Sequence, residues 1–268
     1  MDIHRVLMYS AFGVAVICAG CASNSPSSQP DAAVREILAP SGKLRVALYP
    51  GTPTSIVTDA GDANPRGVGY DLGRALAQRL GVPFEPVVLP NNAEVLAAVK
   101  AGRVDFAFTN ATAERMRDMD FSPICLEIEL GYLVRPGSPV AALAGVDRPG
   151  VRIGVTANSS TGAKLTHDLT QATVIPAANI KAGAAMLAAG EIDAYATNKP
   201  TLYEMGDHLP GSRVLDGRWG EERMALAMPK GRDAGMAYLR SFVETAKADG
   251  LVSAAIARAG LRGAIEAR

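Results

Sequence analysis

Three hydroxyl residues in a row, Ser159-Ser160-Thr161, open a stretch patterned as a helix over 161–169. Hydroxyls and unpaired backbone N–H groups at a helix start form a subsite for a polar or anionic group, and one of the three is expected only to cap the helix. A Thr-Asn pair occurs twice, at Thr109-Asn110 and Thr197-Asn198. Asparagine suits turns, so these residues read either as turn formers or as polar groups facing one cleft. Groups for other chemistries are scattered. Histidine stands at 4, 167 and 208 and cysteine at 18, 21 and 125, with no metal-ligand spacing joining them. His167 falls inside the helix after the hydroxyl run and His208 in a Gly/Pro-bounded loop, so neither belongs to an acid–base constellation. No catalytic residue, metal or cofactor is expected.

The elements that would hold these residues form a repeat. Ala101–Asn110 (AGRVDFAFTN) lies without a gap over Ala189–Asn198 (AGEIDAYATN) at an offset of 88, with five of ten positions identical. Each copy reads as a helix ending at Ala-Gly, a tight turn, then a buried parallel strand closing in Thr-Asn. Leu44–Leu48 and Val151–Val155 open the two halves as further strands. Leu72, Leu76 and Leu80, then Val95 and Val99, mark helices in the first half; 161–169 and 180–189 mark helices in the second. Strand and helix alternating twice over predicts two α/β lobes. Ligands of such sheets bind beyond the carboxyl ends of the strands, where Asn110 and Asn198 would face each other across a cleft.

The 268-residue chain balances 27 Lys+Arg against 27 Asp+Glu, which leaves no basic footprint for nucleic acid. With 48% hydrophobic and 20% charged residues it reads as globular, long enough for one large domain or two lobes. Arg5 precedes an apolar run, Val6 to Gly20, too short to span a bilayer comfortably and suited to a signal peptide (1–20). Ala19-Gly20 before Cys21 looks like a lipoprotein lipobox, with Cys18 where leucine is usual, so lipidation at Cys21 would anchor the chain to a membrane. Ordinary signal-peptidase cleavage after Ala22 is the alternative; either way the protein is exported, to the periplasm or the cell surface. Residues 21–40, polar and Pro/Ser-rich over Ser23 to Pro30, read as a flexible tether. Cys125 would then remain as a free thiol.

The first half carries, in order, Leu44-Arg45-Val46, Gly67-Val68-Gly69-Tyr70-Asp71-Leu72, ALAQRLGV from Ala75, Gly102-Arg103-Val104-Asp105, Thr112-Ala113-Glu114-Arg115, Asp120-Phe121-Ser122 and Gly131-Tyr132-Leu133-Val134. The second carries Ile153-Gly154-Val155, Asn158-Ser159-Ser160-Thr161 and, at the return, ALAMPKG from Ala225. This order of motifs, over nearly the whole chain after its leader, resembles the bacterial extracellular solute-binding proteins of family 3, the amino-acid-type receptors of ABC importers. The resemblance implies an α/β, two-lobed periplasmic-binding-protein-like fold. Each lobe would be a mixed, mostly parallel sheet flanked by helices, with the cleft between. Lobe one would comprise 41–136 plus 223–268 and lobe two 137–222, with crossings near Arg135 to Pro139 and Leu215 to Met224. It further implies a monomeric, non-enzymatic receptor that closes on a small-molecule ligand and passes it to ABC permease subunits. Alternatives on the same fold are a ligand-sensing accessory lipoprotein and a cyclohexadienyl-dehydratase-like enzyme.

In the family the Arg of the Thr-x-Glu-Arg motif holds the ligand carboxylate; here that is Arg115, whose planar guanidinium is a two-pronged donor. The implied ligand set is Thr109, Asn110, Thr112 and Arg115 from lobe one and Ser159, Ser160, Thr161 and Asn198 from lobe two, with Thr52 and Asp71. The chain departs from the family where an acid usually meets the ligand ammonium. Five residues after Asp193 stands neutral Asn198, and a second family acid aligns with Gly69 or, by a local shift, with Asp71. Thr52 and Ser55 replace aromatic walls, and Cys125 falls where Tyr is common. A buried ammonium needs a counter-charge, so the expectation is a small organic anion or an atypical amino-acid derivative, unless Asp71, Glu127 or Glu129 supplies the charge.

Overall fold

The pattern of apolar residues on both faces of short strands is realised in a computed structural model that describes residues 31–58 and 64–267. The signal segment, Cys21 and the tether through Pro30 lie outside the described residues. In chain order the first half contains α1 (Ala32–Leu38), β1 (Leu44–Leu48), α2 (Val68–Leu80), β2 (Phe84–Val88), α3 (Asn92–Lys100), β3 (Phe106–Asn110), β4 (Met119–Phe121) and β5 (Leu126–Val134). The second contains β6 (Arg152–Thr156), α4 (Ser160–Asp168), β7 (Thr173–Ala177), α5 (Ile180–Ala188), β8 (Ala194–Asn198), α6 (Lys199–Asp207) and β9 (Arg213–Val214). The return comprises β10 (Gly220–Pro229), α7 (Asp233–Ala248), α8 (Leu251–Ala259) and β11 (Ala264–Glu266).

One lobe is built on the order β2-β1-β3-β10 and the other on β7-β6-β8-β5. In each, the first three strands run parallel and the fourth, long strand is antiparallel. Central strands are covered on both sides, so alternation separates two cores. Val46, Leu48, Phe106 and Phe108 pack with Leu72, Leu76, Leu80 and Phe242. Ala47 and Ala107 face Val95, Val99 and Met119 on the other side. In the second lobe Ile153, Val155, Ala194 and Ala196 join Tyr132 and Leu165, while Tyr195 packs with Leu187, Ile192 and Leu202.

The expectation of a tether over 21–40 is corrected for its last part. Asp31 caps α1 through an N–H···O bond from Ala33, and Leu38 is buried against Leu239 and Phe242. A Cβ at Gly235 of α7 would overlap Leu38, so α1 packs directly on that helix.

Two long strands carry the chain between lobes. β5 and β10 pair with each other over Leu126–Leu130 and Gly220–Met224, then diverge, β5 pairing with β8 and β10 with β3. Leu126 and Ile128 pack into the first lobe's core, whereas Tyr132 and Val134 pack into the second's, so packing changes lobe within β5, ahead of Arg135.

Candidate functional site

The Thr-Asn ends of β3 and β8 and the start of α4 line one cavity of about 50 Å3 between the lobes, and that cavity adjoins an outer groove of about 930 Å3. Asn158 sets the approach to α4 with a left-handed backbone (φ 56°), a conformation asparagine tolerates better than most residues. Ser159 Oγ accepts the Gly162 N–H at 3.0 Å, so it is the hydroxyl spent on capping. Ser160 and Thr161 line the cavity together with Glu222.

Arg115 sits in a 3-10 turn over Arg115–Arg117 and is only 9% exposed. Its Nη1 donates to Thr109 Oγ1 at 2.9 Å and to the Asn110 carbonyl at 3.0 Å, while Thr112 Oγ1 accepts its backbone N–H at 3.2 Å. These bonds use one prong of the guanidinium and leave the other without a protein acceptor among the described residues, on the wall of the cavity. Burial pulls the Arg115 pKa below its ordinary value, opposed by the negative field of Glu222.

Glu222 lies on β10 where that strand runs between lobes. Its neighbours Glu221 and Arg223 alternate outward, while Glu222 is 8% exposed and lines the cavity. Its Oε2 accepts from Asn198 Nδ2 at 3.0 Å. Burial pushes its carboxyl above the usual carboxylate range, and the bond from Asn198 and the charge of Arg115 pull the other way. Beside it the half-buried Tyr49 phenol is pushed up to about 12, chiefly by desolvation.

The structure gathers Thr109, Asn110, Arg115, Ser159, Ser160, Thr161 and Asn198 on the cavity wall. Thr112 lies in the outer groove, supporting Arg115 from behind. Two expected ligand residues stand elsewhere. Thr52 is fully buried and spends its hydroxyl on Thr54 (2.9 Å) and on Thr201 of α6 (2.7 Å). Asp71 points to the back of α2, where it is held by the Arg258 guanidinium with Arg74 at 3.6 Å. Nor do the other suggested acids reach the cleft: Glu127 pairs with Arg223 at 3.4 Å and Glu129 with Lys199 at 2.6 Å.

Sequence reasoning missed Glu222, Tyr49, Asn91, Asn92 and Asn179. Asn91 and Asn179 had a signal, since they obey the same 88-residue offset and each caps the helix after it, α3 or α5. Glu222 had a weaker one: in GEERMALAMP the inward alternation that buries Met224 also turns Glu222 inward. Among the described residues no cluster of three His, Cys, Asp or Glu could hold a metal, and no helix is long and apolar enough to cross a membrane.

Residues 44–259 match the model of the bacterial extracellular solute-binding proteins, family 3. Among curated proteins the chain is similar to the ABC transporter glutamine-binding protein GlnH of Bacillus subtilis (strain 168), 24% identical over 139 residues, which are 52% of this chain and 50% of that one. The aligned part thus spans about half the length of that relative. Its fold is shared with the solute receptor for L-cysteine of Neisseria gonorrhoeae (TM-score 0.75, 22% identity, 84% of this chain and 92% of that one). It is likewise shared with the amino acid ABC transporter substrate-binding protein AbpA from Streptococcus pneumoniae bound to L-arginine (TM-score 0.75, 20% identity, 85% and 99%).

Proposed function

The chain belongs to the bacterial extracellular solute-binding proteins, family 3, and from that premise we propose that it captures a small polar solute outside the cytoplasm for an ABC importer. Closure of 137–222 onto 41–136 plus 223–268 buries the solute, and the closed form docks on membrane permease subunits. The protein acts as a monomer, and lipid at Cys21 holds it near the membrane. Thr109, Asn110, Ser160, Thr161 and Asn198 ring the solute, and Thr112 braces the arginine that binds it.

One observation carries this reading: Arg115 is buried at the junction of two lobes, braced on one prong, with its other prong open to the cavity. An arginine so desolvated gains most from an oxyanion that fits its fork. The solute therefore brings a carboxylate or a similar anionic group, as amino acids and small organic acids do.

A thermal-shift panel of amino acids, mono- and dicarboxylates, sulfonates and phosphonates tests it. A ligand at a hundred times its Kd stabilises the folded state by about 2.7 kcal/mol, a shift of roughly 5–10 °C for a chain of this size. Arg115→Ala is expected to abolish that shift. An equal shift in the variant, or none in the wild type with any compound bearing an anionic group, would sink the proposal. A second, enzymatic reading rests on Glu222, whose carboxyl, held up by burial, has the character of a general acid. Product formed from the bound compound would establish it, and quantitative recovery of the compound would dismiss it.

A further inference from the structure

We infer that Glu222 is the residue that receives the solute's ammonium group, and that the solute is a small zwitterion with an uncharged polar side chain. This rests on the solute-binding reading above and narrows it.

The position expected to hold the ammonium-binding acid, Asn198, is neutral. Its amide is not idle: Nδ2 donates to Glu222 at 3.0 Å, while Oδ1 accepts from the Thr201 backbone N–H at 3.2 Å and its hydroxyl at 2.7 Å. The cap of α6 thus fixes the amide, and the amide fixes the carboxyl. Ser160, at the start of α4, lines the same cavity. An acid on the strand between lobes is therefore positioned by the start of one lobe-two helix and shares the cavity with Arg115 of lobe one. A carboxylate-binding cation and a carboxyl group on one small cavity complement the two ends of an amino acid.

The charge balance then restricts the side chain. Arg115 and Glu222 are the cavity's ionisable groups besides Tyr49, whose phenol at about 12 stays neutral. The remaining polar groups are amides, those of Asn91, Asn92, Asn158 and Asn179 among them, and hydroxyls. A third charge on the solute would be buried opposite neutral dipoles, which is unfavourable without a partner. In the outer groove Lys100 pairs with Asp118 at 2.9 Å, Lys164 with Asp168 at 2.7 Å and Glu221 with Arg218 at 2.5 Å, while Glu114 lies outside the inner cavity. Bonds between the lobes, Thr52 to Thr201 at 2.7 Å and Asn91 Nδ2 to the Ala178 carbonyl at 3.3 Å, hold them together around the cavity of about 50 Å3. Such a space suits a short side chain that can exchange hydrogen bonds with amides.

Titration calorimetry on the processed, exported protein tests this with L-serine, L-threonine, L-asparagine and L-glutamine. The comparison set is 3-hydroxypropionate (serine without its amine), L-aspartate, L-lysine and L-arginine. At least one of the first four is expected to bind at least about tenfold tighter than every member of the comparison set. Glu222→Gln, which keeps size and one acceptor, is expected to weaken that ligand by about 10- to 100-fold, the loss of a hydrogen bond to a charged group. Tighter binding of 3-hydroxypropionate or of a charged-side-chain amino acid, or unchanged affinity in Glu222→Gln, overturns the inference. Unchanged affinity in Arg115→Ala, or no binding by any of these probes, overturns the solute-binding reading with it.

Discussion

In the first lobe the backbone N–H and the guanidinium of Arg45 converge on Asp105, at 3.0 Å and at 2.9 and 2.7 Å. In the second lobe Arg152 converges on Asp193 in the same way, at 3.0 Å and at 3.0 and 2.9 Å. Each arginine also reaches the carbonyl of the glycine that ends the preceding helix, Gly102 or Gly190. Each aspartate has a second cation, Arg232 or Arg135. These clasps tie the base of the central strand to its neighbour, at the end away from the cleft. At the other end of the same strands the match stops. Asn110 accepts the Arg223 N–H and lends its carbonyl to Arg115, whereas Asn198 caps α6 and steadies Glu222. The repeat is kept where it holds the sheet and has diverged where it lines the cavity.

Breaking a clasp should have the largest effect. Asp193→Ala would leave two guanidinium groups and one backbone N–H without their buried acceptor, a cost of about 3–5 kcal/mol. Asp105→Ala should cost about the same, and urea unfolding of both variants makes the comparison. Unequal costs would mean that the lobes differ at their bases as well. Acid should act on the same contact. The Arg152 guanidinium holds the Asp193 carboxyl down to about 2. A carboxyl depressed in the folded state adds stability above its unfolded value, near 4, and loses it as the pH falls through about 2. The contribution is roughly 2 kcal/mol. Stability measured from pH 5 to pH 2 should therefore fall less steeply in Asp193→Asn than in the parent.

The middle of the repeated strand shows a second difference, smaller in energy. Phe106-Ala107-Phe108 in lobe one becomes Ala194-Tyr195-Ala196 in lobe two. The bulk has moved from one face of the sheet to the other. Opposite Ala107 stands Val95 of α3; 88 residues on, opposite Tyr195, stands Gly183 of α5. A Cβ at Gly183 would overlap the Tyr195 ring, and one at Gly154 would overlap Ile192. Gly183→Ala should thus cost about 1–3 kcal/mol by overpacking. The pair Gly183→Val with Tyr195→Ala, which imports the small-strand, large-helix arrangement of lobe one, should cost less than the two single changes added. Additive costs in thermal unfolding would show that the two faces are not interchangeable solutions of one packing problem.

This exchange also explains what the sequence could and could not reveal. The repeat was legible because turn chemistry and the clasp demand particular residues: Gly with positive φ after each helix, Asp at the strand base, Thr-Asn at its tip. Helix α2 was legible from leucine spacing, α3 from valine spacing and α4 from the hydroxyls at its start. The acid of the cleft was not. Asp71 fits a motif, yet Arg258, 187 residues away in sequence, draws it to the back of α2. Glu222 fits no motif; it reaches the cleft because a strand that crosses between lobes turns every second side chain inward. Long-range ion pairs and strand phase at a crossing are tertiary facts. Local patterns carry neither. The end of the expected tether was lost for a similar reason, since α1 owes its order to α7, some 200 residues later.

The smallest predicted effect separates the two asparagines themselves. Asn198→Ala removes the cap of α6 and the donor to Glu222, both buried, and should cost about 1–2 kcal/mol. Asn110→Ala removes only the acceptor for the Arg223 N–H, a bond exposed to water that can take its place, and should cost about 0.5 kcal/mol. The backbone carbonyl that braces Arg115 survives the substitution. Solute affinity should follow the same order, because Asn198→Ala frees the Glu222 carboxyl to rotate whereas Asn110→Ala leaves the guanidinium in place. Urea unfolding and calorimetry on the two variants read both quantities. If Asn110→Ala proves the more damaging in either, the two strand tips are not specialised as described. The solute would then be held chiefly from lobe one, with lobe two serving only to cover it.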